Sequence, residues 1–173
     1  MFEIGSYVVY RAEGVCVVSD IRSESFGAIG TQEDYYILTP LRDERSVFFV
    51  PINNQNLVSY MRELLSARQI MQMVADIKDE RLEWIDDSRA RSAAFREILS
   101  EGDRVRIVVL LNTLYEKTEQ LIAQGKKMGA GNESLLQRAE KMLFDEFGVT
   151  TDIGSQEDIA RLLRGEVELG ERN

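Results

Sequence analysis

The sequence predicts an α+β protein in which a small SH3-like or Tudor-like β-barrel is followed by an all-α helical bundle. The first sixty residues hold nine of the fourteen aromatic residues and both prolines, and aromatic residues favour pleated, half-buried strands. After Pro51 no proline occurs, and apolar residues recur at the three- and four-residue steps of a helix. These observations divide the chain into a barrel domain over residues 1–60 and a helical domain over residues 61–173.

The barrel domain is expected to contain five short strands. Aromatic and β-branched residues cluster at several places, and glycines and polar residues between them supply the turns. The strands are placed near Tyr7–Tyr10, Val15–Ile21, Tyr35–Leu41 and Val47–Val50, with a short fifth strand around Leu57–Ser59. This number and spacing of strands is typical of a small barrel.

Capping residues mark where the first helices of the second domain begin. Ser66 and Gln69 form a capping-box sequence in front of an apolar stripe, which predicts a helix from Ser66 onward. A helix is also expected from about Ser88 to Leu99. Asp103 can cap a long helix whose two apolar stripes cover most of its circumference, so this helix is expected at the centre of the bundle.

The last two helices are also predicted from their ends. Asn132 is expected to start a helix that Gly148 ends in the left-handed conformation. Ser155 is expected to cap a short helix that stops at Gly165. The segment Gly129-Ala130-Gly131 has no strand in front of it and no adjoining Lys-Ser/Thr pair, so we interpret it as a connection between helices rather than a phosphate loop.

Composition excludes several classes of function. The net charge of −9 argues against a protein that coats nucleic acid nonspecifically. The chain has no histidine and one cysteine, Cys16, which leaves no catalytic triad and no ligand set for a tetrahedral zinc ion. We therefore expect a non-enzymatic protein without metal or cofactor. No apolar run approaches the roughly 20 residues of a membrane helix, and no secretory leader is visible, so we expect no membrane contact and a cytoplasmic location.

The first candidate site is an apolar strand. It consists of Val47, Phe48, Phe49, Val50 and Pro51. Successive strand residues point to opposite faces, so one phenylalanine must point outward or be covered by another element. Two interpretations stay open: the helical domain covers this side chain, or the strand lies at an edge where a strand of another protein adds to the sheet.

The second candidate site is Trp84, the only tryptophan, with Arg89, Arg91 and Arg96 behind it. Arg89 and Arg96 are seven residues apart and share one face of the predicted helix. Composition favours a core role for the indole and a solvated face for the arginines. A tryptophan beside arginines can instead stack on an unpaired base or enter a minor groove.

An ordered set of motifs runs through the chain. It comprises Phe2 to Tyr10, Glu13-Gly14-Val15, Tyr35 to Leu38, Val50-Pro51, the Ser66 helix, Trp84, Glu101-Gly102-Asp103 and the helix from Leu110 to Tyr115. This set resembles the CarD/CdnL-like bacterial transcription regulators. In that family the barrel is similar to the polymerase-interacting domain of the transcription-repair coupling factor and docks strand to strand on the RNA polymerase β subunit. The helical domain reaches promoter DNA at the upstream edge of the melted region.

The resemblance implies that Val47–Pro51 face polymerase, and that Trp84, Arg89, Arg91 and Arg96 face DNA. The implied function is to modulate the stability of the promoter open complex. Residues 61–173 hold 17 basic and 22 acidic residues, a net charge of −5, so free DNA binding is expected to be weak and polymerase-tethered. An alternative of another class is a protein–protein adaptor or dimerising module that makes no DNA contact.

Overall fold

The computed structural model describes residues 1–26 and 32–172. It divides the chain into two compact units, Met1–Leu64 and Leu65–Asn173. The division falls after Leu64 rather than after residue 60, because Met61–Glu63 forms a strand that pairs with the first strand of the chain.

The first unit is built on a five-stranded antiparallel sheet of order β4-β3-β2-β1-β5. Its strands are β1 Tyr7–Tyr10, β2 Gly14–Glu24, β3 Glu33–Pro40, β4 Phe48–Pro51 and β5 Met61–Glu63. In the described part of the unit, β4 pairs only with β3, and β5 pairs only with β1. The sheet is therefore open, and the closure expected of an SH3-like or Tudor-like barrel is not observed.

Four predicted strands lie where the sequence placed them, but the fifth prediction was wrong. Leu57 belongs to a short helix, α1 Gln55–Val58, and Ser59 is its C-terminal cap. The side chain of Asn54 accepts a hydrogen bond from the Leu57 amide, at 3.2 Å. This cap stabilises a helical turn where apolar composition alone suggested a strand, and the fifth strand follows at Met61–Glu63.

One face of the sheet carries the core of this unit. Its buried members are Val8, Tyr10, Cys16, Val18, Tyr36, Leu38, Val50 and Met61. Cys16 is completely buried and acts as a small core residue. Burial raises the pKa of the Cys16 thiol to about 12, so this thiol stays neutral and has little of the thiolate character that reactivity requires.

The second unit consists of five helices in its described residues. They are α2 Ala67–Asp76, α3 Ser88–Glu101, α4 Arg104–Ala123, α5 Ala130–Thr150 and α6 Glu157–Leu163. Two capping predictions are confirmed: Ser66 and Gln69 form a reciprocal capping box, and Asp103 accepts a hydrogen bond from the Arg106 amide. Gly165 follows α6 with φ of +72°, a left-handed conformation that glycine adopts readily.

Helix α4 lies at the centre of the helical core. Every residue from Ile107 to Leu114 is buried, including Asn112, whose side-chain amide donates to the Ile77 carbonyl at 3.2 Å. Phe95 of α3 and Phe147 of α5 are the largest fully buried side chains of this core. Cover on all sides explains why α4 shows two apolar stripes rather than one.

The boundaries of α5 differ from the prediction at both ends. The helix begins at Ala130 with Gly129 as its cap, so Gly129-Ala130-Gly131 is the start of a helix rather than a connection. Gly148 lies inside the helix, which continues to Thr150. A Cβ added at Gly148 would lie 3.6 Å from the side chain of Ile153, an ordinary van der Waals distance, so packing does not explain why a glycine stands at this interior position.

A buried ion pair joins the beginning of α4 to the last turns of α5. Arg104 Nε lies 2.8 Å from Glu146 Oε1, and the two side chains are 8% and 7% exposed. Removal of one member of such a pair leaves a buried charge that neither water nor a partner stabilises.

We predict that Glu146→Gln lowers the free energy of unfolding by about 3 kcal/mol, as expected when a buried charge loses its partner. Guanidinium denaturation followed by circular dichroism measures this loss. The double variant Arg104→Met, Glu146→Leu should recover most of the stability, because both charges are removed together. A double variant as unstable as Glu146→Gln would contradict this account.

Candidate functional site

The outer edge of β4 has main-chain groups available for pairing. Phe48, Phe49, Val50 and Pro51 lie opposite Leu38, Ile37, Tyr36 and Tyr35 of β3. The Ile52 amide donates to the Asp34 carbonyl at 2.9 Å. Because main-chain groups alternate in direction along a strand, those of Val50 and Phe48 also face β3, while those of Phe49 and Pro51 face outward. Proline has no N–H, so Phe49 supplies the outward amide of β4.

The two phenylalanines lie on opposite faces of the sheet. Phe48 packs against the core, with its ring centroid 6.1 Å from that of Tyr10. Phe49 packs on the other face, 5.0 Å from Phe26 and 6.2 Å from Tyr35, and these last two rings are 5.3 Å apart. We call Phe26, Tyr35 and Phe49 the outer aromatic cluster. Phe26 is 59% exposed, so part of this cluster is accessible to solvent.

The five residues predicted to face polymerase therefore have different environments. Val47, just before β4, is half exposed. Phe49 and Pro51 are partly buried. The main-chain groups of Phe49 face the edge, and the Pro51 carbonyl accepts a hydrogen bond from the Asn54 amide. Val50 is completely buried and Phe48 packs with the core, so their side chains support the strand and are not available to a partner. Strand alternation is the physical reason for this division.

Trp84 lies in the segment between α2 and α3 and is half-buried. Its ring centroid is 6.2 Å from that of Phe95, in an edge-on arrangement. Two cations also approach the indole: the guanidinium carbon of Arg91 at 4.4 Å and Nζ of Lys117 at 4.8 Å from its centroid. The indole thus has a core contact and a cationic environment at once.

Hydrogen bonds fix the segment that carries Trp84 on both sides of the indole. Before it, the Leu82 amide donates to Thr113 Oγ1 on α4, at 2.9 Å. After it, Arg91 Nη1 donates to the carbonyls of Ile85 and Asp86, at 2.6 and 3.1 Å. These bonds commit Arg91 to holding the segment, although the sequence suggested that it faces DNA.

Arg89 and Arg96 are exposed on α3. The structure gives neither guanidinium an ion pair or hydrogen bond within the described residues. Both side chains line a cleft of about 400 Å³ between α3 and the start of α5, together with Arg91. The predicted basic face of α3 therefore exists, and Arg89 and Arg96 are its available members.

Sequence reasoning missed two participants in this region. Lys117 lies on α4, far along the chain from Trp84, and no local pattern connects the two residues. Gly129 and Gly131 line the same cleft as the arginines because α5 begins beside α3. In the part of the chain that the structure describes, no group of three or more Cys, Asp and Glu could hold a metal ion. None of the described helices is long and apolar enough to cross a bilayer.

Residues 2–64 match the family model of the CarD-like/TRCF RID domain. This match confirms the resemblance over the first unit, which is a CarD-like RNA polymerase-interacting domain. Such a domain indicates a role connected with transcription. The helical unit lies outside the matched residues. No curated protein matches the chain.

We predict that Arg91→Ala loosens the segment around Trp84 and shifts its fluorescence emission to longer wavelength. The variant loses a stacked cation and two hydrogen bonds to carbonyls, so water gains access to the indole. The cation contact accounts for about 0.5–1 kcal/mol of stability. Because Trp84 is the only tryptophan, the emission reports this site alone.

Arg89→Ala is the matched control for this measurement, since Arg89 lies on the same helix and makes no contact with the indole. Its emission should equal that of the unmodified protein. Equal emission from Arg91→Ala would show that Arg91 does not hold the indole in place.

Proposed function

We propose that this chain, whose residues 2–64 form a CarD-like RNA polymerase-interacting domain, is a non-enzymatic bacterial transcription regulator in the cytoplasm. Its β4 edge docks on the RNA polymerase β subunit. Its helical unit presents Trp84 and the arginines of α3 to promoter DNA and modulates the stability of the open complex. The observation that carries the proposal is the open β4 edge in a domain of a polymerase-interacting family.

The geometry of β4 supports docking by strand addition. An exposed strand edge is a template for a strand of another chain, because its unpaired amides and carbonyls find partners there. The Phe49 amide and carbonyl supply one such pair of groups, whereas Pro51 has no N–H and its carbonyl accepts a hydrogen bond from the Asn54 amide at 3.1 Å. The missing donor at Pro51 restricts the register in which a polymerase strand can pair.

The outer aromatic cluster supports the same docking mode with side-chain contacts. In strand addition, main-chain bonds give affinity and alternate side chains give specificity. Phe49 lies at the edge, and Phe26 beside it is 59% exposed. A polymerase strand paired with β4 would place alternate side chains against this face. We therefore propose an apolar contact rather than an ion pair as the anchor.

The environment of Trp84 supports contact with a nucleic acid base. An aromatic ring that binds a base must be held in one orientation while part of it stays accessible. Three residues of the helical unit contact this indole and hold it: Phe95, Arg91 and Lys117. Aromatic side chains that stack on or wedge between bases use this combination of rigidity and exposure.

Tethering accounts for DNA contact by an acidic unit. The net charge of −5 over residues 61–173 opposes free binding to a polyanion. Once one part of a chain is docked, a second contact becomes intramolecular, with an effective concentration that reaches the order of millimolar for short linkers. A weak contact at Trp84 then suffices to shift the equilibrium between closed and open complexes by its differential affinity.

We predict that Phe49→Pro weakens binding to the isolated β subunit more than Phe49→Ala does. Both variants lose the aromatic ring, but only proline also removes the outward amide, and proline is tolerated at an edge position whose N–H points away from the sheet. Loss of a central anchor should weaken binding by at least about tenfold. Biolayer interferometry with the immobilised β subunit measures both losses.

Tyr7→Ala serves as the control for this pair, because Tyr7 is an exposed aromatic residue on β1, away from the β4 edge. It should bind like the unmodified chain, and circular dichroism should show all three variants folded. Unchanged affinity in well-folded Phe49→Pro and Phe49→Ala would refute docking through β4.

We predict that Trp84→Ala leaves β-subunit binding unchanged and shortens the lifetime of the open complex. Stacking on a base is worth about 1–3 kcal/mol, so the lifetime should fall by about tenfold. Because the indole packs on Phe95, the milder variant Trp84→Phe controls for lost packing. If Trp84→Ala retains a normal lifetime, the indole does not contact DNA.

The adaptor alternative is favoured by the acidic charge of the helical unit and makes a different prediction. A DNA contact through arginines gives the polymerase–promoter complex a salt dependence that changes by about −0.9 per phosphate contact. Replacement of both Arg89 and Arg96 by Gln should reduce that slope. An unchanged slope would identify an adaptor that makes no DNA contact.

A further inference from the structure

A polar side of helix α4 faces the segment that carries Trp84. This segment, residues 77–87, lies between α2 and α3 and contains neither helix nor strand. Residues four apart in a helix are neighbours on one side, so polar side chains on two successive turns of α4 can contact the segment together. We call these four side chains the α4 cradle: Asn112, Thr113, Glu116 and Lys117.

The α4 cradle reaches from the first residue of the segment to the indole. At one end, Asn112 Nδ2 donates to the Ile77 carbonyl at 3.2 Å. At the other end, Lys117 Nζ lies 4.8 Å from the ring centroid of Trp84. Because the residues of α4 from Ile107 to Leu114 are all buried, this helix is a rigid frame. The position of the segment is therefore defined relative to the most buried helix of the unit.

Among the hydrogen bonds of the α4 cradle, that of Thr113 lies closest to the indole along the chain. Its Oγ1 accepts from the Leu82 amide at 2.9 Å, and its hydroxyl donates to the Val109 carbonyl at 2.7 Å. Because the single hydroxyl proton is directed to Val109, the oxygen is left to accept from Leu82. Thr113 is 6% exposed, so water has little access to replace either bond. Leu82 and Trp84 both pack against the helical core.

From this arrangement we propose that Thr113 is a positioning residue for Trp84. Its hydroxyl fixes the main chain at Leu82, two residues before the indole, and so restricts the ring to one orientation. A ring that already has its bound orientation loses less entropy when it stacks on a base. The consequence for DNA rests on the proposed function, whereas the ordering of the indole is a property of the free chain.

The test compares Thr113→Val with Thr113→Ser. Valine keeps the shape of the side chain but removes the hydroxyl, whereas serine keeps the hydroxyl. Time-resolved fluorescence anisotropy reports how freely the indole rotates, and Trp84 is the only tryptophan. In Thr113→Val we expect the amplitude of the picosecond-to-nanosecond component to rise by at least about twofold, and in Thr113→Ser to stay near that of the unmodified chain. An unchanged amplitude in Thr113→Val overturns the proposal.

Thr118→Val is the matched control for this comparison. The hydroxyl of Thr118 also donates to the carbonyl four residues earlier, that of Leu114, at 2.7 Å. It forms no hydrogen bond with residues 77–87, all of which the structure describes. Its anisotropy decay should therefore equal that of the unmodified chain. An equal rise in Thr118→Val and Thr113→Val would show a general loosening of α4 and would also overturn the proposal.

Hydrogen exchange of the Leu82 amide tests the same bond without a substitution. This amide lies outside helices and strands, so its protection depends on Thr113. We expect it to exchange at least about tenfold more slowly than an amide of an unstructured peptide. Thr113→Val should lose this protection and Thr113→Ser should keep it, with the fold checked by circular dichroism. Exchange at the peptide rate in the unmodified chain would overturn the proposal even if Thr113→Val failed to fold.

A double-mutant cycle in the polymerase–promoter assay tests the consequence for DNA. Thr113→Val should shorten the lifetime of the open complex by about threefold and add nothing to Trp84→Ala, because Thr113 acts through the indole. Shortening by the same factor in both backgrounds would show an effect independent of the indole and would overturn the proposal. If Trp84→Ala itself retains a normal lifetime, the proposed DNA contact fails, and the anisotropy and exchange results decide the positioning role.

Discussion

The alternation of an edge strand is the constraint on which the first unit depends. An antiparallel strand with one neighbour directs half of its main-chain groups inward and half outward. In β4, Val50 and Phe48 pair with β3 and pack their side chains with the core. The main chain of Phe49 is left unpaired within the described structure. A shift of register by one residue would exchange the two phenylalanines between faces. The same strand register therefore determines both the proposed docking surface and the packing of the sheet.

In the second unit, the side chain of Arg91 makes several structural contacts at once. This side chain stacks on Trp84, holds the carbonyls of Ile85 and Asp86, and contacts Asn132 at the start of α5. A residue committed to so many partners loses little further entropy when a ligand arrives. A packing role and a binding role for Trp84 are therefore compatible, because the contacts that bury one side of the indole also orient its exposed side.

Local signals in the sequence predicted much of this fold, and non-local contacts account for what they missed. Helix caps and short strands depend on neighbouring residues, so the sequence alone was sufficient to predict them. Examples are the caps at Ser66 and Asp103 and the strands around Tyr7–Tyr10 and Phe49. The approach of Lys117 to Trp84 depends on how helices pack. Gly148 was misjudged because a glycine late in an apolar stripe is typical of a helix end, whereas α5 continues through it to Thr150. Of the candidate DNA residues, the shared face of Arg89 and Arg96 was predictable from helical spacing, whereas the commitment of Arg91 to the indole segment was not.

Charge and tethering together explain how an acidic chain could act at DNA in the function proposed above. A net charge of −9 opposes nonspecific binding of the free protein to nucleic acid, so the proposed contacts with DNA require prior docking. Local positive potential is then needed only where contact occurs, and α3 supplies it with Arg89 and Arg96 beside the uncapped start of α5. In the proposed function, weak intrinsic affinity for DNA gives selectivity, because the chain would bind only DNA that polymerase already holds.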